Sequence, residues 1–193
     1  MTMPTRTGSL TFSTIELGSG LTVAMSKEPS ELLALIGRSG LRGRGGAGFP
    51  TSLKWSMAAE AEAEKKYVVC NADEGEPGTF KDRVILTDFA DLVFEGMTIG
   101  ARVIGARYGI MYLRAEYTYL RPHLESVLQR RRKQGLLGKN VGGHQGFDFD
   151  IVIHMGAGAY VCGEETAMLE SLEGHRGEPR NRPPFPIDTG YLG

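Results

Sequence analysis

Residues 66–78 read KYVVCNADEGEPG, an apolar run that leads directly into an acidic loop containing glycine. The first six residues predict a buried strand, since a short apolar run bounded by turn residues is typical of one. Similar runs at 109–114 and 147–155 predict a second and a third strand. Because helical patterns alternate with these strands, the sequence predicts an α/β fold with a mainly parallel sheet.

The helical patterns have clear starts and stops. One helix opens at Pro29 and stops at the glycines that follow residue 36. Another begins after an expected N-cap at Thr51 and continues to about Glu64. Further helices are predicted over roughly 82–106 with a break near Asp91, over about 121–134, and from Gly163 to near Gly174.

Composition narrows the class of protein. The chain has 193 residues, a net charge of -1 and 41% hydrophobic residues, which suits one packed domain. Its 27 glycines are about twice the usual share, without the three-residue period of collagen. The near-neutral charge gives no electrostatic case for nucleic acid binding. The basic run 130–133 is interpreted as complementing a helix C-terminus.

Cysteine usage and apolar content exclude further classes. Only Cys70 and Cys162 are present, which excludes a disulfide-rich scaffold and any four-thiolate zinc or iron–sulfur site within this chain. Both are interpreted as packing residues, and no histidine shows metal-ligand spacing. The start shows no signal-peptide pattern, and charges interrupt the most apolar region, 92–113. We therefore expect a cytoplasmic chain without metal or membrane insertion.

The densest glycine segment, residues 40–51, reads GLRGRGGAGFPT. It contains G-x-G-x-x-G from Gly43 to Gly48, but a helix precedes it where a dinucleotide fingerprint requires a strand. So many glycines let the backbone approach a flat or phosphorylated ligand closely. Lys54 lies in the first turn of the next helix, where a docked anion would offset its conflict with the helix dipole. A tight turn with a solvated lysine is the alternative.

The acidic loop places Asp73, Glu74 and Glu76 directly after a strand end. Ligands of α/β sheets bind beyond the carboxyl ends of the strands, so these acids are well placed to accept ribose hydroxyls. A divalent metal and a solvated turn are the alternatives, although the spacing does not match a calcium loop.

A second glycine loop, residues 156–166, reads GAGAYVCGEET and has the strand-to-helix context that the first lacks. Glu164 and Glu165 lie at the start of the next helix, where acids suit the dipole with or without a ligand.

Taken together, these three segments resemble the NADH- and FMN-binding subunit of respiratory complex I. The same module occurs in the diaphorase subunit of NAD-reducing hydrogenases and in NAD-dependent formate dehydrogenases. Residues 146–151 and 190–193 resemble the hydrogenase diaphorase most. The likeness covers residues 29–193, which we interpret as a Rossmann-like FMN- and NAD(H)-binding domain after an N-terminal lead-in, residues 1–28.

The resemblance implies roles for individual residues. Glu76 and Glu165 would help to position NADH, and Phe49 and Phe185 would stack on its adenine. The other candidates are Arg44, Gly46 and Gly48 in the first glycine loop and Glu74 in the acidic loop. The flavin contacts would be Gly43, Gly45, Lys54, Asn71, Asp73, Tyr160, Gly163 and Glu164.

The implied chemistry needs no catalytic side chain, since hydride passes directly between NAD(H) and FMN. Electrons then go to an iron–sulfur cluster in the full complex, whose other subunits would be the partners. The likeness stops at Gly193, so we expect the ubiquitin-like and iron–sulfur domains to be absent and the flavin cavity to be incomplete. Smaller departures are Ser52 and Met57. A non-catalytic binding or assembly fragment and a nucleotide-binding regulator without flavin remain the alternatives.

Overall fold

The computed structural model describes residues 17–193. Three strands form one sheet in the order β1 (Tyr67–Ala72), β2 (Tyr108–Leu113) and β3 (Asp150–Met155). Both strand pairs are parallel, so the three carboxyl ends meet at one edge of the sheet. The predicted α/β fold with a parallel sheet flanked by helices is confirmed.

Seven helices and three short 3-10 segments surround this sheet within residues 17–193. The 3-10 segments are 115–120, 141–143 and 160–163. The helices are α1 (Ser19–Met25), α2 (Pro29–Ser39), α3 (Thr51–Glu60), α4 (Lys81–Asp88), α5 (Ala90–Ile104), α6 (Arg121–Lys133) and α7 (Glu165–Leu172).

Both faces of the sheet are covered, as a parallel sheet requires. Side chains of a strand point alternately to opposite faces. Met111 and Leu113 join the larger core, to which Phe94 of α5 belongs. Tyr112 joins a smaller core with Cys162 and residues of α7. Cys162 is therefore a packing residue as predicted, and Cys70 packs against the larger core.

The predicted bounds of α3 are wrong at both ends. Pro50 is the N-cap, with an extended ψ of 122°, and Thr51 is the first helical residue. The Thr51 backbone N–H donates to the Leu41 carbonyl at 3.0 Å. The helix ends at Glu60, where Ala61 turns to an extended ψ of 130°. The break between α4 and α5 falls at Phe89, two residues before the predicted position.

The third strand begins three residues later than predicted. Phe147 and Phe149 are buried, as the apolar pattern indicates. However, the Phe149 backbone pairs with Gly138, with N–O distances of 2.7 and 2.9 Å, and not with β2. Periodicity detects burial here but cannot identify the pairing partner.

Helix α1 lies within residues 17–28 of the predicted N-terminal lead-in. Residues 1–16 of that lead-in are outside the described part of the chain. The buried Glu95 of α5 accepts hydrogen bonds from the Gly18 and Leu21 backbone N–H groups, each at 2.8 Å. A carboxylate distant in sequence therefore accepts hydrogen bonds from N–H groups at the start of α1 that have no partner within the helix.

Candidate functional site

The acidic loop after β1 contains one buried carboxylate, Glu74. It accepts hydrogen bonds from Asp82 N at 2.9 Å and Arg83 N at 3.4 Å, both in the first turn of α4, and from the Tyr117 hydroxyl at 2.8 Å. Burial raises the pKa of Glu74, but these three hydrogen bonds outweigh burial and hold the pKa below its usual range. Glu74 thus fixes the loop to α4.

Asn71, at the end of β1, joins the acidic loop to the second glycine loop. Its Nδ2 donates to the Gly163 carbonyl at 2.9 Å, and its Oδ1 accepts from Asp73 N at 3.1 Å. The loops approach so closely that a Cβ on Gly163 would lie 3.2 Å from the Asp73 carbonyl oxygen. Glycine at this position therefore permits the contact.

The Asp73 carboxylate accepts no hydrogen bond from the described residues. Burial raises its pKa, the positive charge of Arg114 lowers it in part, and Glu116 raises it further. A half-buried carboxylate without donors is an acceptor available to a ligand hydroxyl.

Glu76 is exposed and pairs with Tyr160 of the second loop. The Tyr160 hydroxyl donates to the Glu76 carboxylate, and this hydrogen bond raises the pKa of Tyr160. The Tyr160 ring lies against Gly75, where a Cβ would be 3.1 Å from Cδ2. Tyr160 keeps 65% of its surface exposed, so the Tyr160–Glu76 pair is open to a ligand.

Glu164 is the N-cap of α7 and not a first-turn residue as predicted. Its Oε2 accepts from the Thr166 and Ala167 backbone N–H groups, both at 2.9 Å. Burial raises the pKa of Glu164, but these bonds and the charge of Arg182 outweigh burial and lower it. Arg182 forms ion pairs with both Glu164 and Glu165.

The first glycine loop connects α2 to α3 and closes through its own hydrogen bonds. Gly43 N donates to the Phe49 carbonyl at 2.9 Å, and the Arg42 side chain donates to the Gly48 carbonyl at 3.0 Å. Arg44 donates to the Arg42 carbonyl at 2.8 Å. The tight turn that the sequence analysis weighed is therefore present.

The same loop leaves its glycines open. Gly46 and Gly48 have φ of 113° and 61°, values that L side chains rarely adopt. A Cβ on Gly45, Gly46 or Gly48 would meet no atom within 4 Å. The backbone is thus accessible, and Phe49 and Lys54 beside it are exposed.

The structure brings together the candidates of the acidic loop and of the second glycine loop at the carboxyl edge of the sheet. The first glycine loop, with Phe49 and Lys54, is fixed by its own bonds beside α3. Phe185 lies in the C-terminal tail, 52% exposed.

Comparison with known proteins identifies the family. A model of the Nuo51 FMN-binding domain matches residues 36–192. The chain belongs to the Nuo51 FMN-binding domain family.

Relatives of this Nuo51 family domain are parts of larger oxidoreductases. It is 58% identical over 178 residues to the alpha subunit of the NAD-reducing hydrogenase HoxS of Cupriavidus necator, covering 92% of this chain and 30% of that relative. It is 49% identical over 182 residues to an NADH-quinone oxidoreductase subunit of Rhizobium meliloti, covering 92% of this chain and 43% of that one.

A crystal structure of an NAD+-reducing [NiFe]-hydrogenase in the H2-reduced state is similar to the domain, with a TM-score of 0.83 and 46% identity. The similarity covers 93% of this chain and 30% of the hydrogenase chain. The domain thus spans less than half the length of these relatives.

The residues of this Nuo51 family domain fit FMN. The open backbone at Gly45, Gly46 and Gly48 leaves room for a planar or phosphorylated group. Asp73 offers a free acceptor for ribityl hydroxyls. Among the polar candidates for the flavin, Asn71, Asp73 and Tyr160 lie at the carboxyl edge of the sheet, where α/β folds bind ligands, whereas Lys54 lies in α3.

Two arginines that the sequence motifs do not predict organise this edge. Arg114 follows β2 directly, donates to the Glu74 carbonyl, and is bonded to Glu116 through two N–O distances of 2.7 Å. Its position after a strand end was the available signal. Arg182 lies in a tail rich in arginine and proline, where nothing local distinguishes it from its neighbours.

Within residues 17–193, no helix is both long enough and apolar enough to cross a membrane.

Proposed function

We propose that this chain is the flavin- and NAD(H)-binding module of a multi-subunit oxidoreductase, in which hydride passes between NAD(H) and FMN. The observation that carries the proposal is the joined pair of loops at the carboxyl edge. Asn71 and Gly163 link a loop with a free carboxylate to a loop with an exposed tyrosine. Membership of the Nuo51 family supports the same chemistry.

Each residue predicted to bind a cofactor has a part in the proposal. Glu76 and Glu165 position the dinucleotide, and Phe49 and Phe185 present exposed rings to its adenine. Arg44, Gly46 and Gly48 complete the first loop. The flavin is held by Gly43, Gly45, Lys54, Asn71, Asp73, Tyr160, Gly163 and Glu164. The hydrogen bonds of Glu74 give it a structural role. A cofactor hydroxyl that contacts the Glu74 carboxylate would have to compete with those donors.

The protein's contribution is orientation and electrostatics, because the cofactors carry the redox chemistry. A bound FMN would supply the redox chemistry, namely uptake of hydride and release of single electrons. The exposed Tyr160–Glu76 pair limits where a dinucleotide can lie, and the Asp73 carboxylate accepts hydrogen bonds from ribityl hydroxyls. Hydride transfer does not need a side chain that donates a proton to carbon or removes one from it.

The partners follow from the same proposal. The relatives named above are subunits of a hydrogenase and of an NADH-quinone oxidoreductase. We infer that iron–sulfur subunits of such a complex receive the electrons, and that the chain works in the cytoplasm, at the inner membrane only through that complex.

Reconstitution with FMN tests this function. The purified chain is incubated with FMN, desalted and examined for flavin absorbance, NADH binding and NADH-dependent reduction of ferricyanide. Retained flavin that NADH bleaches supports the proposal. A chain that retains no flavin but binds NADH would support the nucleotide-binding alternative, and one that binds neither would support a structural or assembly role.

Glu76→Gln tests the dinucleotide side of the site. Losing a charge-assisted hydrogen bond of about 1.5 kcal/mol predicts NADH binding weaker by roughly tenfold, with FMN retained. NADH titration monitored by fluorescence measures this. Glu62→Gln, an exposed acid outside the site, is the matched control. Unchanged NADH affinity in Glu76→Gln would contradict the role of Glu76.

A further inference from the structure

The C-terminal tail, residues 176–193, is fixed to α7 by Arg180. Its Nε lies 2.5 Å from Glu170 Oε1 and its Nη2 lies 2.8 Å from Glu173 Oε2. Its Nη1 donates to the Gly190 carbonyl at 2.9 Å, and its backbone N donates to Thr166 Oγ1 at 2.9 Å. The backbone that leads to Arg182 is therefore held in place.

Arg182 makes the second attachment, at the N-terminal end of α7. Its Nη2 pairs with Glu164 Oε1 and lies 3.1 Å from Glu165 Oε1. Glu164 is also held by two backbone N–H groups through its other oxygen. The Glu165 carboxylate has no partner besides Arg182 among residues 17–193. Loss of Arg182 would thus release Glu165 and leave Glu164 in place.

Phe185 follows Arg182 by three residues, with two prolines between them. Its carbonyl accepts from Asp188 N at 2.8 Å and Thr189 N at 3.0 Å, and its ring remains half exposed. Because Pro183 and Pro184 have fixed φ angles, the position of Arg182 restricts the path of the backbone that leads to Phe185.

The charge of Arg182 matters as well. Glu164 and Glu165 are adjacent carboxylates, and without a cation they would repel the two negative phosphates of a dinucleotide. A guanidinium suits this place because it stays protonated and can serve two carboxylates at once.

From these contacts we infer that Arg182 is a positioning residue for dinucleotide binding: it holds the Glu165 carboxylate and the backbone of the segment that carries Phe185 in one fixed arrangement. This inference rests on the proposed function, in which both residues face NAD(H). Arg182 acts through these two residues, and the flavin side of the site does not depend on it.

Arg182→Gln and Arg182→Lys test the inference in the full chain. For the glutamine variant, we expect NADH binding weaker by about tenfold and flavin retention equal to that of the unmodified chain. Amide exchange should become faster in residues 185–192, since one attachment of the tail is lost. The lysine variant keeps the charge and should recover part of the NADH affinity.

Arg176→Gln is the matched control, because Arg176 lies in the same tail with its side chain 89% exposed and, among residues 17–193, pairs only with Glu178. It should leave NADH affinity and amide exchange unchanged. Equal NADH affinity in Arg182→Gln and the unmodified chain would overturn the inference. Joint loss of FMN and NADH would also overturn it, because Arg182 would then support the whole site.

The two proposals fail in different ways. If the unmodified chain binds neither FMN nor NADH, the proposed function fails, while amide exchange still tests the attachment. Faster exchange in residues 185–192 of Arg182→Gln would then support the positioning contact, and unchanged exchange would overturn it.

Discussion

At the scale of single residues, Glu74 differs from the acids beside it. Asp73, Glu74 and Glu76 lie within four positions and carry the same charge, so their pattern alone predicts the same ribose-binding role for all three. In the structure Glu74 is only 6% exposed and bonded to α4 and Tyr117, whereas Glu76 is exposed. Burial of one acid among three depends on the path of the chain after the strand, which composition does not encode.

Glu74→Gln should destabilise the fold. The amide offers one acceptor oxygen where three donors converge, so we expect a loss of about 1–3 kcal/mol in the free energy of unfolding at neutral pH. The pKa of Glu74 is lower in the folded chain. Its carboxylate therefore contributes stability above its unfolded pKa, and this contribution is lost as pH falls through the folded pKa.

Urea unfolding at neutral pH and in the acid range measures both effects. The unmodified chain should lose stability on acidification, and Glu74→Gln should lose less, because it lacks this titrating group. Glu62→Gln provides the control for a change of one surface charge. Equal unfolding free energy and equal pH dependence in Glu74→Gln and the unmodified chain would contradict the structural role.

At the scale of elements, two glycines one turn apart in α5 have different surroundings. A Cβ on Gly96 would meet no atom within 4 Å, whereas one on Gly100 would lie 3.2 Å from Trp55 Cζ2 of α3. Gly100 thus lets α3 pack closely on α5, and α3 follows directly on the first glycine loop. The sequence predicts both helices but not which glycine faces the other helix.

Gly96→Ala and Gly100→Ala separate helix propensity from packing. Gly96→Ala should stabilise the chain by roughly 0.5–1 kcal/mol, since glycine costs about that much inside a helix. The free energy of unfolding of Gly100→Ala should be lower than that of Gly96→Ala by about 1 kcal/mol, because Trp55 must move. Trp55 is the chain's one tryptophan, so its fluorescence should shift in Gly100→Ala alone. Equal stabilities with unchanged emission would refute the close contact.

At the scale of the whole molecule, side-chain contacts attach helix α1 and the C-terminal tail to the rest of the domain. Glu95 of α5 bonds α1, which lies more than seventy residues earlier in the chain. The tail is fixed to α7 through Arg180. Neither contact has a local pattern in the sequence. For this reason the sequence predicts only a lead-in where α1 lies, and only a stretch rich in arginine and proline for the tail.

Glu95→Gln should loosen α1 from the rest of the domain. One carboxylate oxygen becomes an amide nitrogen that faces a backbone N–H, and an unmade buried hydrogen bond costs about 1–3 kcal/mol. Amide exchange should accelerate in residues 18–25 and stay unchanged in β2. Glu62→Gln, at an exposed site after α3, is the comparison. Unchanged exchange in α1 of Glu95→Gln would show that α1 does not depend on this carboxylate.

The sequence by itself determined the three strands, their parallel α/β arrangement and the two glycine loops, because apolar runs and glycine density are local properties. Only the tertiary structure decided which acids remain available to a ligand and which arginines hold them. Asn71 bonds Gly163 across 92 residues because parallel strands end at one edge. Burial and pairing of a charged side chain depend on that convergence, which no single segment contains.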